Sequence, residues 1–201
     1  MIIFMSDIVC VTARKLCRTD FLEQLERIAE AEPEFIILRE KDLNEEKYAA
    51  LAEKAVRICR NKADLILHNY WKAAIALGAD SVHLPLHIFR TLTESDKSCF
   101  RRIGVSCHSA EDAMEAQKLG ASYITAGHVF ATDCKKGLAP RGLDFLRDVC
   151  GSVDIPVYAI GGISPDNIGS VRECGAAGAC VMSGFMRCND PSAFISEFDR
   201  K

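Results

Sequence analysis

A phrase used three times constrains this chain more than any other feature. "LGAD" at 77–80, "LGAS" at 119–122 and "CGAA" at 174–177 each close a helical run and open an apolar one. Glycine in second place can take the left-handed conformation that caps a helix, and a strand can begin at once. A recurrent helix-to-strand turn implies a repeated structural unit. Eight short apolar runs read as the strands of those units: 7–12, 34–40, 64–69, 81–85, 102–108, 123–130, 155–162 and 178–184. Amphipathic helical patterns lie between them, as in "NEEKYAALAEKAVRICRNK" at 44–62, with apolar residues at i, i+3 and i+4. Ser109 and Ser164 are expected to open helices, since "SAED" is a capping-box variant and "SPDN" has proline at the first helical position. Strict alternation implies a parallel sheet. Mostly apolar strands imply cover on both faces. Eight β/α units in 201 residues fit a compact α/β fold, the (β/α)8 TIM barrel, as a single domain over 1–201. A flavodoxin-like open sheet normally uses five strands and fits less well.

Composition narrows the partners. The formal net charge is -3 and no Lys/Arg block occurs, so nucleic acid is not expected as a ligand. No apolar run approaches the roughly 20 residues of a membrane span. The start, "MIIFMSDIVCVTARK", lacks a basic leader region and a small-residue cleavage site, so no signal peptide is expected. The ten cysteines are scattered, with no C-x-x-C pair, and several sit in apolar runs. That pattern fits buried thiols in a reducing cytoplasm better than disulfides or zinc. Cys134, in a polar loop, is the exception. Exposed barrel helices could form a homodimer, but nothing marks which.

Chemistry in such a barrel belongs where strands end. Arg39 and Lys41 follow the second strand two residues apart, so they share a face and suit a phosphate or carboxylate. The alternative is a solvated rim pair with Glu40. Asn69 ends the third strand, Ser106 the fifth, and His128, Thr132 and Lys135 follow the sixth. Gly161-Gly162 and Ser183-Gly184 end the last two strands, where barrels often bind phosphate on backbone N–H groups beside a short helix. The alternative is a Gly-Gly pair that only turns the chain. Of five histidines, His83 reads as packed within a strand and His87 as surface. No H-E-x-x-H pair and no acidic cluster joins them, so no metal is expected. His108 and His128 fall at strand ends, where a near-neutral pKa suits proton transfer. From the residues alone the function reached is proton transfer on a small phosphorylated anion.

"LREK" (38–41), "GADSVHLP" (78–85), "IGVSCHS" (103–109), "GASYITAGHVFATDCKKG" (120–137) and "IPVYAIGGISPDNI" (155–168) together resemble the thiamine phosphate synthase superfamily, in order and over nearly the whole chain. The resemblance also implies the barrel. One branch joins hydroxymethylpyrimidine pyrophosphate to thiazole phosphate using Mg²⁺. The other, TenI-type, contains thiazole tautomerases, which convert the product of ring assembly into aromatic carboxythiazole phosphate. His128 after Gly127 is similar to the tautomerase form and would be the catalytic residue. Synthases hold Mg²⁺ with two Asp, whose places here are Tyr70 and Ile88, and carboxylate ligation is lost there. The expectation is therefore a cytoplasmic, cofactor-free thiazole tautomerase acting on a small phosphorylated thiazole. His128 would accept a proton from the ring carbon and return one to the exocyclic carbon. Arg39, Lys41, Asn69, Ser106, Thr132 and Lys135 would contact the substrate, and Gly161, Gly162, Ser183 and Gly184 its phosphate. The alternatives are thiamine-phosphate synthase, with Mg²⁺, and a non-catalytic regulatory TenI-like binding protein.

Overall fold

In the computed structural model, residues 7–135 and 137–199 are described. The expectation about the first fifteen residues falls partly on 1–6, which lie outside the described residues. All eight strands form: β1 (Ile8–Val11), β2 (Ile36–Leu38), β3 (Leu65–His68), β4 (Ser81–Pro85), β5 (Arg102–Cys107), β6 (Tyr123–Gly127), β7 (Val157–Ile160) and β8 (Gly178–Val181). They pair in sequence order, all parallel, and β8 closes on β1 through Ile8↔Ala179, Val9↔Cys180 and Cys10↔Val181. The architecture is a (β/α)8 barrel. Its helices are α1 (Phe21–Glu30), α2 (Glu45–Cys59), α3 (Trp71–Ala76), α4 (Leu86–Phe89), α5 (Glu94–Ser98), α6 (Ala110–Lys118), α7 (Gly142–Ser152), α8 (Ile168–Glu173), α9 (Ser183–Arg187) and α10 (Pro191–Asp199). No helix among the described residues is long and apolar enough to cross a membrane.

The repeated phrase does what its glycine predicts. Gly78, Gly120 and Gly175 follow α3, α6 and α8 with φ of 67°, 94° and 87°. Behind the first two, the N–H of Ala79 reaches back to Ala74 O at 2.9 Å and that of Ala121 to Ala116 O at 3.0 Å. These are the six-residue closures of a Schellman cap. At α6, Ser109 Oγ accepts the Asp112 N–H at 3.1 Å, while the Asp112 carboxylate accepts from the N–H of His108 rather than from Ser109 itself. The expectation for Ser164 needs correction. Asn167 Oδ1 accepts the Ser164 N–H and holds residues 164–167 as a turn, so α8 begins at Ile168.

Strand residues alternate between two cores. Ile8, Cys10, Ile36 and Leu38 face outward onto the helices, packing with Leu25, Ile28 and Tyr48. Val9, Val11, Phe35, Ile37, Tyr123 and Tyr158 face the barrel axis. The rings of Phe35, Tyr123 and Tyr158 lie 5.1–5.7 Å apart, tilted or edge-on, a geometry worth ~0.5–1.5 kcal/mol per pair beyond burial. Gly104 gives Tyr123 its space, since a Cβ there would come 2.1 Å from the ring. This plug fills the barrel at the end where the strands start, and a cavity lies at the other end.

Candidate active site

The strand ends surround a cavity of about 270 Å³, room for small molecules. Arg39, Lys41, Ser106, His128, Thr132 and Lys135 line it, together with Gly161, Gly162 and Ser183. Asn69 and Gly184 are not among its lining. Asn69 has a φ of 74° where β3 turns into α3, a conformation that asparagine tolerates better than most residues. Gly184 is fixed by packing: a Cβ there would come 2.3 Å from the Phe194 ring of α10.

The loop after β6 is pressed against the end of β7. Val129 and Phe130 donate their N–H groups to Ile160 O and Gly161 O at 2.9 and 3.0 Å. A Cβ on Gly161 would come 2.4 Å from His128 Cβ, and one on Gly162 2.5 Å from Ala131 O. Their φ values are 102° and 67°. The two glycines therefore both turn the chain and admit the neighbouring loop, beside the cavity wall. That contact holds His128 buried in the wall. Its Nε2 lies 3.5 Å from Leu138 O, and its Nδ1 has no partner among the described residues. The Gly127–His128 peptide is cis. His108 turns its Nδ1 onto Gly127 O at 2.8 Å, buttressing the same loop.

His83, read from the sequence as packed within a strand, and His68, at the end of β3, form the floor. His83 contacts Tyr123 Oη through Nδ1 at 2.9 Å and Ser106 Oγ through Nε2 at 2.8 Å. His68 stacks on it with centroids 5.8 Å apart. Burial, helped by the positive charge of Arg39, pushes the His83 pKa down to about 3. His68 is driven down by burial and then by His83. Both rings are neutral near pH 7. Their signal was present in "SVHL": alternation sets Ser81 and His83 on one face and Val82 and Leu84 on the outer one.

The alternative reading of a solvated rim pair with Glu40 does not hold in the structure. Glu40 is buried and accepts from Thr12 Oγ1 at 2.8 Å, the Arg14 N–H at 3.0 Å and Arg14 Nη1 at 3.0 Å. It ties the β1 loop to the end of β2. Arg39, Lys41 and Lys135 consequently face the cavity with no ion-pair partner among the described residues. Burial lowers the pKa of Lys41, and Arg39 and Lys135 lower it further. Cys134 also lines the cavity, whereas the buried Cys107 thiol is pushed up to about 12 and is inert near neutrality.

Residues 8–185 match the family model described as thiamine monophosphate synthase. The chain belongs to that family. A putative thiamine-phosphate synthase 2 of Aquifex aeolicus is 36% identical over 177 residues, 88% of this chain and 95% of the relative. The thiamine-phosphate synthase of Syntrophomonas wolfei is 32% identical over 188 residues, 90% of this chain and 88% of the relative. The solved thiamine phosphate pyrophosphorylase of Pyrococcus furiosus superposes with a TM-score of 0.81 at 29% identity, covering 96% of this chain and 93% of that one. These names overturn the tautomerase expectation. The family match does not itself divide the two branches, but the relatives and the structural neighbour bear the synthase name or that of the pyrophosphorylase. The chain is thus an enzyme of the thiamine-phosphate synthase family.

One property attributed to synthases does not fit. At the two positions matched to Mg²⁺-binding Asp, the Tyr70 hydroxyl donates to Leu43 O at 2.6 Å and Ile88 packs against the core. No carboxylate lines the cavity, and no cluster of three His, Cys, Asp or Glu among the described residues is arranged to hold a metal. A hard divalent cation held by two carboxylates has no such ligands in this cavity among the described residues.

Proposed function

We propose that this chain is a thiamine-phosphate synthase, joining hydroxymethylpyrimidine pyrophosphate to thiazole phosphate. A C–N bond forms between the pyrimidine's methylene carbon and the thiazole ring nitrogen. The C–O bond to diphosphate breaks, and its electron pair leaves with the diphosphate. The attacking nitrogen already carries a lone pair, so no proton has to be removed. The observation that carries the reading, beside family membership, is the set of three cations facing the cavity with no ion-pair partner among the described residues. Arg39, Lys41 and Lys135 meet the diphosphate, where charge-assisted hydrogen bonds are about twice as strong as neutral ones. Backbone and side-chain donors at Gly161, Gly162 and Ser183 meet the thiazole's phosphate. Ser106, Thr132 and His128 Nδ1 orient the rings, which places reacting atoms in range.

The test is formation of thiamine phosphate from the two purified substrates, with and without Mg²⁺. Arg39→Ala is expected to lower kcat/KM about 10- to 100-fold, the loss of one or two charge-assisted bonds. His128→Asn is expected to cost no more than about tenfold, since it removes one hydrogen bond. A base would cost ~100- to 10,000-fold. Absence of product under both conditions would sink the proposal.

A further inference from the structure

We infer that the diphosphate is neutralised in this chain by Arg39, Lys41 and Lys135, which stand in for a divalent cation. The inference rests on the transferase reading above. A diphosphate leaving group carries several negative charges at neutral pH and needs matching positive charge where the C–O bond breaks. The positions that would hold a metal have other employment: Tyr70 is spent on Leu43 O and Ile88 on the core. The nearest buried carboxylate, Glu40, is committed to Thr12 and Arg14. That commitment leaves Arg39 and Lys41, on either side of it in the chain, without an ion pair to it, although its charge is still felt at Arg39. Lys135 approaches from the opposite loop, after β6, near enough that its charge is felt at Lys41. The charges of Arg39 and Lys135 disfavour the charged form of Lys41 in the free protein, and one polyanion among the three relieves that penalty. The same cluster would repel a metal ion, and a metal already on the diphosphate would weaken the attraction by cancelling ligand charge.

The opposite sign of the metal effect gives the experiment. Inorganic pyrophosphate is titrated calorimetrically into the intact protein, first in EDTA and then in excess Mg²⁺. Binding in EDTA that is equal or weaker with Mg²⁺ supports the inference. No binding in EDTA, or tightening by Mg²⁺, overturns it. Lys41→Ala and Lys135→Ala, both exposed changes outside the core, should each weaken binding in EDTA about tenfold, and unchanged affinity in both would also overturn it. The transferase reading fails separately. Pyrophosphate binding in EDTA with no thiamine phosphate formed from the two substrates leaves the cation site standing and removes the reaction. Thiamine phosphate formed only with Mg²⁺ does the reverse.

Discussion

Buried on the cavity floor between Tyr123 and Ser106, His83 has too little water around it to stabilise a charge on its ring well. Its folded pKa of about 3 lies below the ordinary histidine value of 6.5. The unfolded chain therefore takes up a proton that the folded chain refuses, and stability falls as pH drops through that window. His68 is shifted in the same direction. The slope is at most about 1.4 kcal/mol per pH unit for each histidine. Urea unfolding between pH 7 and pH 4 should show it, and His83→Gln should make the slope shallower. An unchanged slope in the variant would remove His83 from the account. The same neutrality denies the floor any role as a proton source, so Ser106 and Thr125 meet it through hydrogen bonds alone.

At the scale of elements, the glycines divide into two kinds. Gly78 has open space where a Cβ would go and needs only its positive φ. Gly161 needs the φ and the absence of the Cβ as well. Gly78→Ala should cost about 1–2 kcal/mol, the left-handed penalty. Gly161→Ala adds overpacking of about 1–3 kcal/mol against His128 and should also weaken binding of thiazole phosphate. Paired urea titrations of the two variants measure the difference, and equal costs would refute it. This contrast also marks what could be read in advance. All eight strands and the three capped turns follow from local pattern, because alternation and left-handed glycine are properties of neighbours in sequence. The start of α8 did not, because an Asn167 side chain overrides Pro165. The place of Glu40 was left open for a longer-range reason: its partners Thr12 and Arg14 lie 28 and 26 residues away. Asn69 and Gly184 carry the right residue types at the right strand ends, but each is taken up by backbone or packing demands.

For the molecule as a whole, the ten thiols record how the barrel is layered. All are free, and Cys10, Cys59, Cys107, Cys174 and Cys180 are buried in it. Labelling of the native protein with a thiol reagent should reach Cys99 and Cys134 first, then Cys17, Cys150 and Cys188, and the buried five only on unfolding. A reductant should leave the Tm unchanged. Rapid native labelling of more than five thiols would contradict the packing. The fold and family were legible at this scale because their signals run the length of the chain. The reaction was not, because the tautomerase expectation leaned on one histidine and on the missing carboxylates at Tyr70 and Ile88, and a strand-end histidine is as serviceable for holding a ring as for moving a proton. The seam between the β6 loop and the end of β7 has a consequence for descent. Positions 127–131 and 160–162 fit like halves of one casting, so a lineage can revise either half only in step with the other. Divergence of specificity in this barrel is then channelled toward the loop after β2, whose cations no such seam restrains.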